Sequence, residues 1–287
     1  MSTSSQENND KSDEELGEYW TEERREQAIP KPFPIVEEEP VEGEPVDGGE
    51  TQFTPPNTTV EPREESSDSA VLTPAVLATP VPTPAQWPWS ANGKLFFDWK
   101  GNSYVGSAHS VYVNMLLTAG HNVYDQGEWS TNFLYYPAYP LWGKSWGWTR
   151  AAVFTAWQQG NYAYDYATIL PSSLLTEVGS VGAVTSLSPA GRSWTAVGYP
   201  AAAPYPGNQM YETTGSYVSG SSIITMSNND MTQGSSGGSW LTSYNGFLYV
   251  NGVQSHRTSN PTQAMSPYIA TNDYNNVVQC ALTGSCR

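Results

Sequence analysis

Short apolar runs of three to nine residues recur along the chain from residue 94 to residue 254. β-branched and aromatic residues dominate these runs, and Gly, Pro, Asn and Ser separate them, as expected of strands joined by turns. The predicted strands are residues 94–99, 104–106, 111–117, 132–136, 151–156, 167–170, 195–198, 210–218, 223–226, 238–241 and 247–254. No stretch combines sustained helical periodicity with a charged face. A dozen or so short strands favour a sandwich or a barrel, and the length fits one unit of about 200 residues made of two small barrels.

The first 85 residues have a different composition. They contain 20 of the 28 acidic residues, 12 of the 22 prolines and only 5 of the 12 Lys and Arg, so they carry −15 of the formal net charge of −16. Such a segment buries too little apolar area to offset its chain entropy. We therefore predict an acidic, Pro-rich tail or pro-segment at 1–85, mostly disordered, followed by one folded unit at 86–287.

One island within the tail has helical signals. Residues 19–29 begin with apolar Tyr19 and Trp20, Thr21 is suited to be an N-cap, and Pro30 ends the pattern. We predict a short helix that docks through its apolar residues; a transient helix without a partner is the alternative.

The charge of the remaining 202 residues is nearly balanced, with 8 acidic residues and 7 Lys and Arg. The acidity of the chain therefore gives no information about the partners of the folded unit. No apolar run is long enough to cross a bilayer, and residues 1–20 lack the basic and apolar regions of a secretory signal. Removal of a signal, unconventional export and retention inside the cell are all compatible with this pattern.

The two cysteines, Cys280 and Cys286, lie close together at the C-terminus. Two cysteines without neighbouring His or acidic residues are too few for a metal site. We expect a local disulfide if the protein is exported and free thiols in a reducing compartment.

Residues 232–239 read Thr-Gln-Gly-Ser-Ser-Gly-Gly-Ser and contain a Gly-x-Ser-x-Gly pattern centred on Ser236. Glycines keep side chains away from a nucleophilic hydroxyl and let backbone N–H groups face a developing oxyanion. We predict Ser236 as the nucleophile and the N–H groups of Gly234 and Ser236 as the oxyanion hole; Ser235 is the adjacent competitor.

Two further residues complete a possible triad. His121 follows Thr-Ala-Gly at the end of a predicted strand, where a general base has room beside the substrate. Asp165 enters an apolar strand 44 residues later, where a carboxylate is costly unless it is paired. The order His, Asp, Ser differs from that of the α/β-hydrolases, in which an acid and a His follow the serine. In this chain His256 is the only histidine after Ser236, and no acidic residue lies between them.

Together these motifs resemble the chymotrypsin-like serine peptidase superfamily, especially the trypsin-like and glutamyl-endopeptidase-like peptidases of bacteria and fungi. The resemblance covers roughly residues 90–275. It rests on residues 118–121, 165–167, 197–200, 230–238 and 252–255, and residues 19–24 resemble a pro-segment motif found before such domains. It implies an all-β fold of two packed six-stranded antiparallel barrels and a His121, Asp165, Ser236 triad that needs no metal or organic cofactor.

The chain departs from the pattern of this family at several positions. Asn122 and Gly106 stand where one disulfide is usual, and Glu212 and Asn229 near the place of a second, so both bridges are absent as pairs. Ser235 replaces the Asp that pairs with a newly cut N-terminus in trypsins, so that activation switch is unavailable. A pro-segment here would act by blocking the site or by assisting folding.

The resemblance also places candidate substrate-binding residues. Asp230, six residues before the nucleophile, corresponds to the floor of the primary pocket and would favour Arg or Lys; capping a turn is its alternative role. The strand 252–255, ending at Ser255, would pair with the substrate backbone. His256 and Arg257 follow, and Arg257 would either neutralise Asp230 or attract an acidic side chain.

We therefore predict a secreted, monomeric serine endopeptidase that acts on polypeptides and binds neither nucleic acid nor membranes. Two alternatives remain: an inactive homologue that serves as a binding module, and an esterase that uses the same residues.

Overall fold

The structure is a computed structural model that describes residues 1–8, 10–32, 34–35, 49–57, 77–257 and 259–287. In chain order its strands are β1 Thr3–Glu7, β2 Ile29–Pro30, β3 Gln52–Thr54, β4 Thr79–Pro80, β5 Asn92–Trp99, β6 Asn102–Tyr112, β7 Met115–Thr118, β8 Tyr124–Asp125, β9 Glu128–Trp129, β10 Thr131–Pro137, β11 Trp148–Phe154, β12 Ala167–Pro171, β13 Ala183–Thr185, β14 Ser193–Gly198, β15 Tyr211–Ser219, β16 Ile223–Met226, β17 Ser239–Tyr244, β18 Phe247–Val253 and β19 Ala264–Pro267. The helices are α1 Asp13–Tyr19, α2 Glu22–Gln27, α3 Gly120–Val123, α4 Thr155–Gln158 and α5 Thr271–Thr283, with 3-10 turns at Trp89–Ala91 and Tyr162–Tyr164.

Two curled, largely antiparallel sheets form the body of the protein. The first has the order β1-β11-β12-β7-β6-β5-β10 with β2 added on β6, and the second has the order β19-β16-β15-β14-β17-β18-β13-β3 with β4 added on β15. Without β1 and β2, which come from the N-terminal segment, the first sheet has the six strands of one barrel. The predicted all-β double barrel is confirmed.

Burial of β5 on both faces shows how the first barrel is covered. All eight residues of β5 are buried, although a strand with one solvated face should alternate. The reason is that Trp20 of the N-terminal segment packs on Phe96, with their ring centroids 5.6 Å apart. The apolar run at 94–99 therefore reflects contacts with two different parts of the chain.

The expected disorder of the N-terminal tail is wrong for the first 32 residues, apart from Asn9, which lies outside the described residues. β1 pairs with β11 over five residues, and Leu16 and Trp20 are fully buried in the core of the first barrel. Composition misled here because a few apolar residues among many acids suffice when they dock on an existing sheet. The segments 36–48 and 58–76, also predicted to be disordered, lie outside the described residues.

The predicted island helix is confirmed as α2. Its N-cap is Thr21, whose hydroxyl accepts a hydrogen bond from the N–H of Arg24. Ahead of it, α1 begins with a capping box in which Ser12 and Glu15 exchange hydrogen bonds, a sequence signal that the prediction did not use.

The predicted single strand at 111–117 is wrong. β6 ends at Tyr112 and β7 begins at Met115, and these two residues pair across a tight turn. The apolar run continues through the turn because both strands are buried, so hydrophobicity alone does not mark the reversal.

The C-terminal helix α5 was not predicted either. Its buried residues include Tyr274, Val277, Val278 and Ala281, which share one helical face, but Asn rather than charged residues flank them. Cys280 and Cys286 form a disulfide at its end. Among the described residues, no helix is both long and apolar enough to cross a membrane.

Candidate active site

The histidine of the predicted triad lies where the first barrel meets the second. His121 is in α3, directly after β7, and is 1% exposed. Its backbone N–H donates to Oδ1 of Asp165 over 2.8 Å, and its Nδ1 lies 2.9 Å from Oδ2 of the same carboxylate. Gly120 permits this approach, because a Cβ there would lie 2.9 Å from Asp165 Oδ1.

Asp165 is held between a 3-10 turn and β12 and is fully buried. Besides the two contacts from His121, its Oδ2 accepts a hydrogen bond from the hydroxyl of Ser255. Because a buried carboxylate is stable only when its oxygens are satisfied, these donors compensate its burial and fix its direction. The arrangement orients His121 so that Nε2 faces away from Asp165.

Ser236 lies on a turn that only glycines can form. Gly234 and Gly237 have φ angles of +94° and +86°, and a Cβ at Gly237 would lie 2.1 Å from Ser107 O and from Thr118 Oγ1. The carbonyl of Ser236 accepts hydrogen bonds from Ser107 N (2.7 Å) and from Asn122 Nδ2 (2.9 Å). The turn is thus fixed to the strands that carry His121.

The two atoms that would exchange a proton share one property. Ser236 Oγ and His121 Nε2 are both buried and have no hydrogen-bond partner among the described residues. The competitor Ser235, in contrast, donates its hydroxyl to Thr232 O over 2.7 Å. Of the two adjacent serines, only Ser236 has an uncommitted hydroxyl.

The backbone near Ser236 leaves two N–H groups without an acceptor among the described residues. The carbonyl of Gln233 accepts from Ala201 N over 2.7 Å, so the N–H of Gly234, in the same planar peptide group, points the opposite way. Within the described part of the chain, no acceptor pairs with the N–H of Gly234 or of Ser236. Both predicted donors are therefore available for a negatively charged oxygen.

The positions predicted to replace the first disulfide lie against each other. A Cβ on Gly106 would lie 2.6 Å from Asn122 Nδ2, so the Asn side chain fills the space over the glycine. The same amide donates to Thr118 Oγ1 over 3.0 Å. Thr118 Oγ1 in turn donates to Ser107 O over 2.8 Å, so hydrogen bonds connect α3 to β6, where the resemblance implies a covalent bridge. The second replaced pair, Glu212 and Asn229, stays a prediction.

The carboxylate of Asp230 is engaged by the N-terminal part of the chain. It accepts hydrogen bonds from Leu77 N (2.9 Å), Ala78 N (3.0 Å) and the hydroxyl of Tyr205 (2.6 Å). These hydrogen bonds to backbone N–H groups are closer to the alternative role of Asp230, capping a turn, than to the floor of an open pocket. Burial lowers the pKa of the half-buried Arg257. The nearby charge of Asp230 opposes this effect and is the smaller of the two.

Ser255 and His256 direct their side chains towards Asp165 rather than outwards. Because the Ser255 hydroxyl donates to Asp165, the contact of 2.7 Å between His256 Nδ1 and Ser255 Oγ requires His256 to donate. His256 is therefore a neutral Nδ1–H tautomer, and burial lowers its pKa to about 4. Sequence analysis placed both residues with the substrate and did not predict this hydrogen-bonded chain from His121 to His256.

A buried polar network behind the site was also missed. Gln254 Oε1 accepts from Asn229 Nδ2 (3.0 Å) and from Trp240 Nε1 (2.7 Å). The sequence signal for it was Gln254 at the end of the largely apolar predicted strand 247–254.

The fold is shared with known serine proteases. No protein-family model matches the sequence, and neither does any curated protein. Among solved structures, the protease Anisep from Arthrobacter nicotinovorans is 30% identical over 70% of this chain and 97% of its own, with a TM-score of 0.60.

Two other structures are similar in the same region. A thermostable serine protease, AL20, from an extremophilic microorganism is 26% identical over 68% of this chain and 98% of its own, with a TM-score of 0.61. A Glu endopeptidase is 20% identical over 74% of this chain and 100% of its own, with a TM-score of 0.63, a likeness of fold alone. With this fold and these relatives, the chain belongs to the chymotrypsin-like serine peptidase superfamily.

Proposed function

We propose that the protein is a serine endopeptidase in which Ser236 is the nucleophile, His121 the general base and Asp165 the group that orients the histidine. The observation that carries the proposal is the paired His121 and Asp165 together with a buried Ser236 hydroxyl that has no hydrogen-bond partner among the described residues. A merely structural serine at a buried position would be hydrogen-bonded, as Ser235 is.

The reaction follows from this arrangement. Ser236 Oγ attacks the peptide carbonyl carbon while His121 Nε2 takes the hydroxyl proton, and the resulting oxyanion is bound by the N–H groups of Gly234 and Ser236. His121 then gives the proton to the leaving amine, the C–N bond breaks, and an acyl-enzyme remains. Water, deprotonated by His121, releases the acid and restores Ser236. Asp165 stabilises the imidazolium in both stages.

The N-terminal segment supports a second part of the proposal, that the full chain is latent. Arg257 N, on the predicted substrate-binding side, donates to Pro34 O over 3.2 Å, and Ile35 bridges to the same residue. Residues 29–31 lie along β6, the strand whose Ser107 N–H donates to the carbonyl of Ser236. With its cleft occupied, the protein would act as a zymogen whose N-terminal segment blocks the site.

The function is tested by casein hydrolysis after limited digestion with thermolysin, a zinc protease that a chelator then stops. We expect turnover by the treated wild type and none by treated Ser236→Ala. Treated Ser235→Ala is the matched control, because it removes the adjacent hydroxyl, and it should keep activity. Equal rates for Ser236→Ala and wild type would refute the peptidase assignment and favour the binding-module alternative; ester turnover without casein turnover would favour the esterase.

Latency is tested by the same assay before and after digestion. We expect the activity of the intact chain to rise at least about tenfold as the N-terminal segment is removed. An intact chain as active as the digested one would contradict the blocked cleft and leave the peptidase assignment in place.

We also propose secretion, a polypeptide as the only macromolecular partner, and a monomeric state. The Cys280–Cys286 disulfide supports secretion, because structural disulfides persist mainly in oxidising compartments. Detection in the culture medium of the source organism and a monomeric mass by light scattering are the measurements that decide.

A further inference from the structure

Lys31 is buried in a pocket of the first barrel. The residue is only 1% exposed, which is rare for a lysine without compensating contacts. Its ammonium lies 2.9 Å from Oδ2 of Asp125, and 3.2 Å and 5.2 Å from the ring centroids of Trp99 and Tyr104. We call the surface formed by Trp99, Tyr104 and Asp125 the cation pocket.

The cation pocket has the features that recognise a cationic side chain on a long stem. A carboxylate pairs with the charge, and two aromatic faces attract the cation through their quadrupoles. The aromatic walls also bury the methylene stem of the lysine. A neutral or acidic side chain would leave Asp125 desolvated without a counter-ion. Burial lowers the pKa of Lys31, and Asp125 opposes that effect.

The position of the cation pocket ties it to the cleft. Lys31 N donates to Val105 O over 2.9 Å, and two residues further along β6 Ser107 N donates to the carbonyl of Ser236 over 2.7 Å. Two strand residues span about 7 Å. A peptide that extends along β6 from the reactive serine therefore reaches the pocket within a few residues.

We propose that Trp99, Tyr104 and Asp125 form a substrate subsite for a Lys or Arg side chain of a polypeptide extended along β6, and that Lys31 fills this subsite within the intact chain. The proposal rests on the proposed peptidase function for the role of the peptide, whereas the binding of a cation in the pocket is independent of catalysis. The substrate class is therefore peptides with a basic residue near the scissile bond. The residues that select this class lie outside the triad.

Cation binding is tested in the full chain with Lys31→Ala. This substitution empties the space that the lysine stem occupied and removes the counter-ion of Asp125. The probe is n-butylammonium, which has the four carbons and the charge of the lysine stem, and its neutral isostere 1-butanol is the control. At tenfold excess over its dissociation constant, butylammonium should raise the Tm of Lys31→Ala by about 3 °C. Wild type, and the double variant Lys31→Ala/Asp125→Asn, should not respond. An equal response to 1-butanol, or none to either compound, would overturn the proposal.

The subsite role is tested in protein treated with thermolysin as above, and this test does not depend on whether Lys31→Ala folds. Peptides that carry Lys or norleucine at each of four positions on either side of the scissile bond are compared by kcat/KM. We expect a preference for Lys of about tenfold at one position, lost in Asp125→Asn. Glu128→Gln removes an exposed carboxylate from the paired strand β9 and should keep the preference.

The outcomes separate the two levels of the argument. No preference for Lys at any position, in an enzyme that cleaves peptides, would overturn the subsite. Butylammonium binding without any peptide cleavage would refute the peptidase assignment and would still support the binding of a cation in the cation pocket.

Discussion

Single residues decide whether this site can react. Ser236 and Ser235 are neighbours in sequence, yet the Ser236 hydroxyl has no hydrogen-bond partner among the described residues, whereas the Ser235 hydroxyl donates to Thr232 O. The sequence pattern selected Ser236, His121 and Asp165 because glycines and a rare histidine are visible in a sequence. The contacts of Ser255 with Asp165 and of His256 with Ser255 were not predictable, because they depend on which way two buried side chains turn.

Gly237 should be indispensable for the turn. Its φ is +86°, and a Cβ would meet Ser107 O at 2.1 Å, so Gly237→Ala combines backbone strain with overlap against backbone. We expect a loss of about 2–4 kcal/mol in the free energy of unfolding, measured by urea denaturation. Gly246→Ala is the matched control: its φ is +82°, but nothing lies within 4 Å, so its loss should be about 1 kcal/mol. Equal losses would show that the close contact is unimportant.

Ser255 should support catalysis by holding Asp165. Ser255→Ala removes one hydrogen bond from the buried carboxylate and leaves Nδ1 of His256 without its acceptor. Losing a hydrogen bond that contributes about 1.4 kcal/mol to the transition state lowers kcat about tenfold. We expect KM to change little, and both constants are measured by steady-state peptide hydrolysis. The exposed Ser243→Ala should have wild-type kcat. A tenfold rise in KM at constant kcat would instead place Ser255 in substrate binding.

At the scale of elements, most strands of the body were predictable, whereas the pieces added by the N-terminal segment were not, apart from α2. Apolar runs located β5, β12 and β14 because each of these strands lies in the core of a barrel. β1 and α1 were not predicted, because their apolar residues are few and are buried only by the sheet on which they dock, whereas the N-cap Thr21 and Pro30 did mark α2. The helix α5 was not predicted, because Asn, rather than charged residues, flanks its buried face.

Trp20 should hold the N-terminal segment on the first barrel. It is fully buried, packs on Phe96 and donates its indole N–H to Asn132 O over 2.7 Å. Trp20→Ala should lower the free energy of unfolding by about 3–5 kcal/mol and expose residues 1–32 to proteases. Leu141→Ala, at a residue 64% exposed, should change stability by less than about 0.5 kcal/mol. If Trp20→Ala is equally mild, the segment does not contribute to the folded core.

At the scale of the whole molecule, the chain combines a strongly acidic N-terminal region with a nearly neutral body. Composition distinguishes these two regions, but it did not reveal that parts of the first join the sheets of the second. The division into a segment at 1–85 and a domain at 86–287 therefore stays a prediction about processing. The described residues of the two regions share both sheets.

Buried neutral histidines should make the protein sensitive to acid. Burial lowers the pKa of His109 from 6.5 to about 3, and its Nδ1 pairs with Gly237 O. Below pH 6.5 the unfolded chain binds a proton that the folded chain does not, so the free energy of unfolding falls as the pH falls towards 3. Between pH 7.5 and pH 5 this histidine contributes a loss of about 2 kcal/mol, and His256 adds to it.

His109→Asn separates this effect from the titration of carboxylates. Asn retains an N–H donor for Gly237 O but does not titrate. Urea denaturation at both pH values should show a loss that is about 2 kcal/mol smaller in the variant. The same loss in both proteins would mean that His109 is protonated in the fold.

The central claim, that Ser236 is an activated nucleophile in a cleft covered by the N-terminal segment, is tested most directly by fluorophosphonate labelling with the adduct mapped by mass spectrometry. The account predicts little label on the intact chain and a single adduct on Ser236 after the segment is removed, lost in His121→Ala. No adduct on Ser236 in either form, or the same adduct in His121→Ala, would contradict it.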